Sequence, residues 1–173
     1  MDFRHVWVKL FRSELSGSRR RGLGLVDQLS AAHVERFEPR CYLSISSVFT
    51  TGALSIVSDG ADGIAVAADM DGNVTVNGTT LMVPIDGTPT AIAANSVTTL
   101  NVTGGAFKNV IDLSGVTAAA FPSLSAVNVD GGMGNDKITG SEFADNILGS
   151  GGNDLLNGGA GNDTLVGGGA TTA

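Results

Sequence analysis

The chain has 173 residues, enough for one domain or two small ones. Aromatic residues make up only 5% and glycine occurs 25 times, which argues against a thick core of large side chains and for thin stacked layers. Residues 1–40 hold eight of the ten Lys and Arg against five of the seventeen acids, so a basic arm precedes an acidic body. Such a body repels nucleic-acid phosphates and suits a cation as partner.

In the arm, Phe3, Val6, Trp7, Leu10 and Phe11 follow the i, i+3, i+4, i+7, i+8 stripe of an amphipathic helix over residues 3–15. With Arg4, Lys9 and Arg12 off the stripe, it is either a short helix lacking support in solution or one that lies on an anionic surface. The cluster Ser18-Arg19-Arg20-Arg21 precedes a short apolar run that Asp27 interrupts, too brief for an ordinary export signal. No run of 18 apolar residues occurs, so no transmembrane helix is expected. Cys41 is the single cysteine, which excludes an intrachain disulfide and a multi-cysteine metal site.

The stretch Phe37-Glu38-Pro39-Arg40-Cys41-Tyr42-Leu43-Ser44 resembles the Leu-Glu-Pro-Arg-x-Leu-Leu segment near the N-terminus of large exported proteins of planctomycete-type bacteria. Phe37 and Tyr42 replace leucines of that segment. The resemblance implies sorting or surface delivery.

From Thr51 short alternating runs separated by Gly, Asp and Asn take over. Leu54–Val57, Ile64–Val66 and Val74–Val76 read as strands, with Asp71-Gly72 as a type I′ hairpin turn. Asp69, Asp71 and Asn73 mimic the start of an EF-hand loop, but no Gly follows Asn73 and no Glu closes the loop, so a turn is expected there. Leu100-Asn101-Val102-Thr103-Gly104-Gly105 recurs as Val127-Asn128-Val129-Asp130-Gly131-Gly132, which suggests that stacking begins early, with Val110, Ile111 and Leu113 as an intermediate rung.

From Gly131 the sequence falls into blocks of nine: GGMGNDKIT, GSEFADNIL, GSGGNDLLN and GGAGNDTLV, with a truncated fifth from Gly167. Asp136, Asp145, Asp154 and Asp163 hold the sixth place; Ile138, Ile147, Leu156 and Leu165 hold the eighth. Glycine permits tight turns that aim carbonyls at one point. Aspartate supplies a hard anionic oxygen, and Ca²⁺ takes six to eight oxygens, more than one loop offers. A stacked second loop must supply the rest, and the eighth-place residue must point inward as the core.

This pattern resembles the RTX, or hemolysin-type, calcium-binding repeats of secreted bacterial proteins. The resemblance implies a right-handed parallel β-roll with two nonapeptides per turn and Ca²⁺ between loops 18 residues apart. It implies the pairs Asp136 with Asp154 and Asp145 with Asp163. Carbonyls of Gly132, Gly134, Gly149, Gly151, Gly158 and Gly161 join them as ligands. The block at 140, with Ser141, Phe143 and Ala144 in place of the usual neighbours, is expected to distort its site.

The expected architecture is all-β: a basic arm (1–45), helical or poorly ordered; a β-rich hairpin or solenoid segment (46–125); a β-roll (126–169); and a tail (170–173). No His-Glu-x-x-His or Gly-x-Ser-x-Gly occurs and both histidines lie in the arm, so no enzyme is expected. The expected function is calcium binding in a secreted or cell-surface protein, with the ion driving folding of the roll and a cell-surface or matrix partner. The alternative is a non-catalytic fragment or tail of a larger exported hydrolase, toxin or adhesin.

Overall fold

A computed structural model of the chain describes residues 45–85 and 88–169. The expected helix over 3–15, the arginine cluster, the 37–44 motif and the 170–173 tail lie outside these residues.

The described chain is β-rich: β1 (Ile45–Thr50), β2 (Ala53–Ser58), β3 (Gly63–Ala68), β4 (Val74–Val76), β5 (Thr79–Thr80), β6 (Met82–Ile85) and β7 (Thr88–Ala91) come first. They are followed by β8 (Thr99–Thr103), β9 (Val110–Asp112), β10 (Ala126–Asp130), β11 (Lys137–Thr139), β12 (Asp145–Leu148), β13 (Leu155–Asn157) and β14 (Thr164–Val166). Two mixed sheets have the orders β1-β2-β8-β10-β12-β14 and β13-β11-β9-β3-β4-β5, and β6-β7 form a separate pair.

Within each large sheet the later strands pair in parallel, while hairpins β1–β2 and β3–β4–β5 begin the sheets. The 27-residue recurrence is a direct pairing, Leu100 with Val127 and Val102 with Val129. The nonapeptides pair across 18 residues, Ile147 with Leu165 in one sheet and Ile138 with Leu156 in the other. Consecutive nonapeptides therefore alternate between the two sheets. Ile111 supplies the expected rung, between Ile64 and Ile138.

The strands at 54–57, 64–66 and 74–76 form as read from the sequence. The turn at Asp71-Gly72 needs a correction. Only Gly72 has positive φ there, at 78°, and its N–H donates to the Asp69 carbonyl at 3.0 Å, so the turn centres on Met70-Asp71 and is not type I′. Asp69 Oδ1 accepts from the N–H groups of Asp71 and Asn73, so its carboxylate serves the turn. Thr51-Gly52 and Asn77-Gly78 are the two-residue turns with positive φ at both positions.

Every second residue points inward, and the inward set changes along the stack. In the first sheet Leu54 and Ile56, Leu100 and Val102, then Val127 and Val129 fill the interior; Asp145 and Ile147 follow, then Asp163 and Leu165. Val116 and Phe121, both fully buried, thicken the core beside the earlier layers. Beyond β10 one apolar residue per strand remains. Ile138 and Ile147 are 0% exposed, but Leu165 in the last layer is 46% exposed.

Burial decides the cost of truncation. Ile147→Ala should cost about 2–5 kcal/mol and Leu165→Ala clearly less, read as the difference in urea midpoints of the full chain in the same buffer.

Candidate metal centre

The loops that join alternate strands stack backbone on backbone. Gly134 N–H donates to the Gly151 carbonyl at 2.7 Å and Gly151 N–H to the Gly132 carbonyl at 2.9 Å. Gly132, Gly134, Gly152, Gly159, Gly161 and Gly168 all take positive φ. A Cβ at Gly132 or Gly161 would run into the backbone of the layer above. Glycine is therefore required by spacing between layers as well as by φ.

Along the second sheet, one column of side chains crosses every layer. Asp154 Oδ1 accepts from Asp136 N–H at 2.9 Å, Asp136 Oδ1 from Asn109 N–H at 2.7 Å, and Asn109 Oδ1 from Asp62 N–H at 3.1 Å. Each first oxygen thus ties its layer to the one before. In the first sheet Asp163 Oδ1 accepts from Asp145 N–H at 3.0 Å in the same manner. The structure accordingly joins Asp136 to Asp154 and Asp145 to Asp163, the two pairs expected from the sequence.

The second oxygens differ. Asp136 Oδ2 and Asp154 Oδ2 are buried and have no hydrogen-bond partner. A Cβ on Gly131 would lie 2.7 Å from Asp136 Oδ2 and 2.9 Å from the Gly149 carbonyl oxygen; one on Gly149 would lie 2.5 Å from Asp154 Oδ2 and 2.7 Å from the Gly167 carbonyl. Beside each bare carboxylate oxygen is thus a cradle, open only because glycine lines it and bordered by a further acceptor. Buried acceptors that face acceptors are costly. Burial pushes the pKa of Asp136 above its ordinary value against the Asn109 N–H, and the neighbouring Asp154 pushes it further up. All these groups are hard oxygens, the donor set suited to Ca²⁺.

Asp145 is different. Ser141 N–H donates to its Oδ2 and Ser141 Oγ to its Oδ1, each at 2.6 Å. Burial still raises its pKa, opposed by the Ser141 bonds and reinforced by Asp163. The serine expected to distort this site therefore occupies the carboxylate. Gly140 lies against Asp145 Oδ2 and the Gly158 carbonyl, and Gly158 lies against Asp163 Oδ2.

Of the expected glycines, Gly149 borders the cradle of Asp136 and Gly158 that of Asp145. The carbonyls of Gly132 and Gly151 accept interlayer N–H groups, and Gly134 and Gly161 stack against neighbouring backbone. Sequence reasoning missed Gly131 and Gly140 at the cradles, and Asn109 and Asp62 in the column. Among the described residues no three His, Cys, Asp or Glu side chains cluster as a metal site, so any cation would depend on carbonyls.

Carboxylates paired between stacked glycine loops are a hard-oxygen donor set of the kind a divalent cation takes. A family model, the RTX calcium-binding nonapeptide repeat in four copies, matches residues 130–165, and repeats of that family bind Ca²⁺. RTX repeats are typical of secreted proteins. No curated protein and no solved structure matches the chain. Among the described residues no helix is long and apolar enough to cross a membrane.

The raised pKa values of these two aspartates set a pH dependence. Asp136 and Asp145 hold a proton more readily folded than unfolded, so their contribution to stability is full below the ordinary carboxylate value and is lost as pH rises through the folded value. In EGTA, thermal midpoints should therefore rise as pH falls from 7 toward about 4, and Asp136→Asn should shrink that rise.

Proposed function

We propose that the chain is a calcium-binding protein in which residues 126–169 form a right-handed parallel β-roll completed by Ca²⁺, carried on the β-rich segment 46–125. The observation that carries this reading is the pair of buried, partnerless oxygens, Asp136 Oδ2 and Asp154 Oδ2. The matched repeat, the 18-residue strand register and the alternation of nonapeptides between two sheets support it.

Asp136 and Asp154 would hold the ion together with carbonyls of the stacked glycine loops, Gly149 first among them, with Gly132, Gly134 and Gly151 on the same loops. Asp145, Asp163, Gly158 and Gly161 form the second position, at which Ser141 competes for the carboxylate. The bound ion supplies the positive charge that these acceptors lack. The chain's own residues fix the acceptors at the spacing set by the strand ladders and exclude water through the eighth-place core.

Binding energy gained only by the folded loops is folding energy. The roll therefore gains its order from calcium. Millimolar calcium outside the cell fills sites of modest affinity that cytosolic calcium leaves empty, which places the protein outside the cell or on its surface.

Titration calorimetry and far-ultraviolet circular dichroism of the full chain, first in EGTA and then in millimolar Ca²⁺, test this. Calcium should be bound with a gain of β signal, and Asp154→Ala should lose most of both. No heat and no spectral change in the wild type would overturn the reading. Ser141→Gly releases the Asp145 carboxylate and should tighten the second, weaker binding step.

A further inference from the structure

The column that contains Asp136 and Asp154 continues into layers that the repeat does not cover, and there its chemistry changes. Asn109 occupies the same place one layer earlier: its N–H donates to Asp136 Oδ1 at 2.7 Å and its Oδ1 accepts from Asp62 N–H at 3.1 Å. Where Asp136 and Asp154 present a bare oxygen, Asn109 presents an amide nitrogen. Nδ2 donates to the Phe107 carbonyl at 2.5 Å. A Cβ on Gly104 would lie 3.1 Å from that Nδ2 and against the Gly131 carbonyl, just as one on Gly131 would lie against Asp136 Oδ2 and the Gly149 carbonyl.

Residues 104–112, GGAFKNVID, are thus a nonapeptide whose sixth-place carboxylate is replaced by a carboxamide. Asn109 is fully buried, yet neither of its polar side-chain atoms lacks a partner. One layer further, Asp62 Oδ2 receives Ser58 Oγ. Among the described residues, the partnerless buried side-chain oxygens belong to Asp136 and Asp154, the two layers downstream of Asn109.

The geometry points to Asn109 as the residue that ends the column of calcium positions. Its amide hydrogens take the place of the cation, so the layers from β2 to β9 close without metal and offer a finished edge on which β10–β14 are laid down. This rests on the reading of Asp136 and Asp154 as a calcium position. An acceptor-only cradle needs an ion; Asn109 instead meets a carbonyl of its own loop, that of Phe107, with a hydrogen bond of its own. The exchange of one oxygen for one NH₂ separates a calcium-independent half from a calcium-dependent one.

Asn109→Asp removes the donor and restores the carboxylate. Calorimetry and thermal unfolding of the full chain, in EGTA and in millimolar Ca²⁺, compare wild type, Asn109→Asp and Asn109→Ala. Wild type should keep a cooperative transition in EGTA. Asn109→Asp should bind one more calcium equivalent than wild type, lose or lower that transition in EGTA, and recover it in calcium. Asn109→Ala, which supplies neither donor nor charge, should be destabilised in both buffers without an added equivalent. The proposal is overturned if wild type binds calcium while Asn109→Asp gains no equivalent, stays unfolded in calcium, or shows the same calcium-induced shift as wild type. It is equally overturned if wild type has no transition in EGTA. A wild type that binds no calcium overturns the underlying reading and the proposal with it.

Discussion

Buried carboxylate oxygens with no hydrogen-bond donor, at Asp136 and Asp154, are the constraint around which this chain is arranged. Parallel stacking at a fixed register brings the sixth-place side chain of each nonapeptide against the loop of its neighbour, where glycine carbonyls already point. One carboxylate oxygen is used to tie the layers through a backbone N–H; the other has nowhere to turn except toward more acceptors. Three local answers occur along the columns. Ser58 and Ser141 bring hydroxyls to Asp62 and Asp145, Asn109 brings its own amide, and Asp136 and Asp154 are each left with one buried oxygen that no hydrogen bond meets.

The same layers that lose their donors also lose their core. Up to β10 each strand of the first sheet turns two apolar side chains inward, whereas β12 and β14 turn in one beside an aspartate. A fully buried aliphatic side chain is worth about 1.5–3 kcal/mol, and ordering the backbone of each residue costs about 1–2 kcal/mol, so a nine-residue block with one such side chain does not balance by apolar burial. Acidity and thinness in the C-terminal segment are therefore two aspects of one design.

Much of this was legible in the sequence because period and phase survive folding unchanged. The 27-residue match of Leu100 with Val127 came from counting, and the 18-residue pairs Asp136–Asp154 and Asp145–Asp163 from the resemblance to RTX repeats. Asn109 escaped because Phe107 and Asn109 stand where the repeat wants glycine and aspartate, although Gly104-Gly105 and Ile111 held the phase. Asp62 escaped because it lies 47 residues before its partner, with the hairpins β4–β7 inserted between. Gly131 and Gly140 escaped because each contributes only the absence of a Cβ, beside Asp136 Oδ2 and Asp145 Oδ2, and only stacking reveals that. Ser141 stood out as an irregularity, but its identity as an internal donor needed the geometry.

The final layer has a consequence of its own. Among the described residues β13 and β14 each pair on one side only, and Leu155, Leu165 and Val166 are exposed there. In a stack whose layers touch only their neighbours, cooperativity is local, and the member with one neighbour opens first. Loss of order would thus travel backward like an unravelling hem, from Gly169 toward the fully buried layers around Phe121. Amide hydrogens would exchange in a graded sequence along the chain instead of all at once.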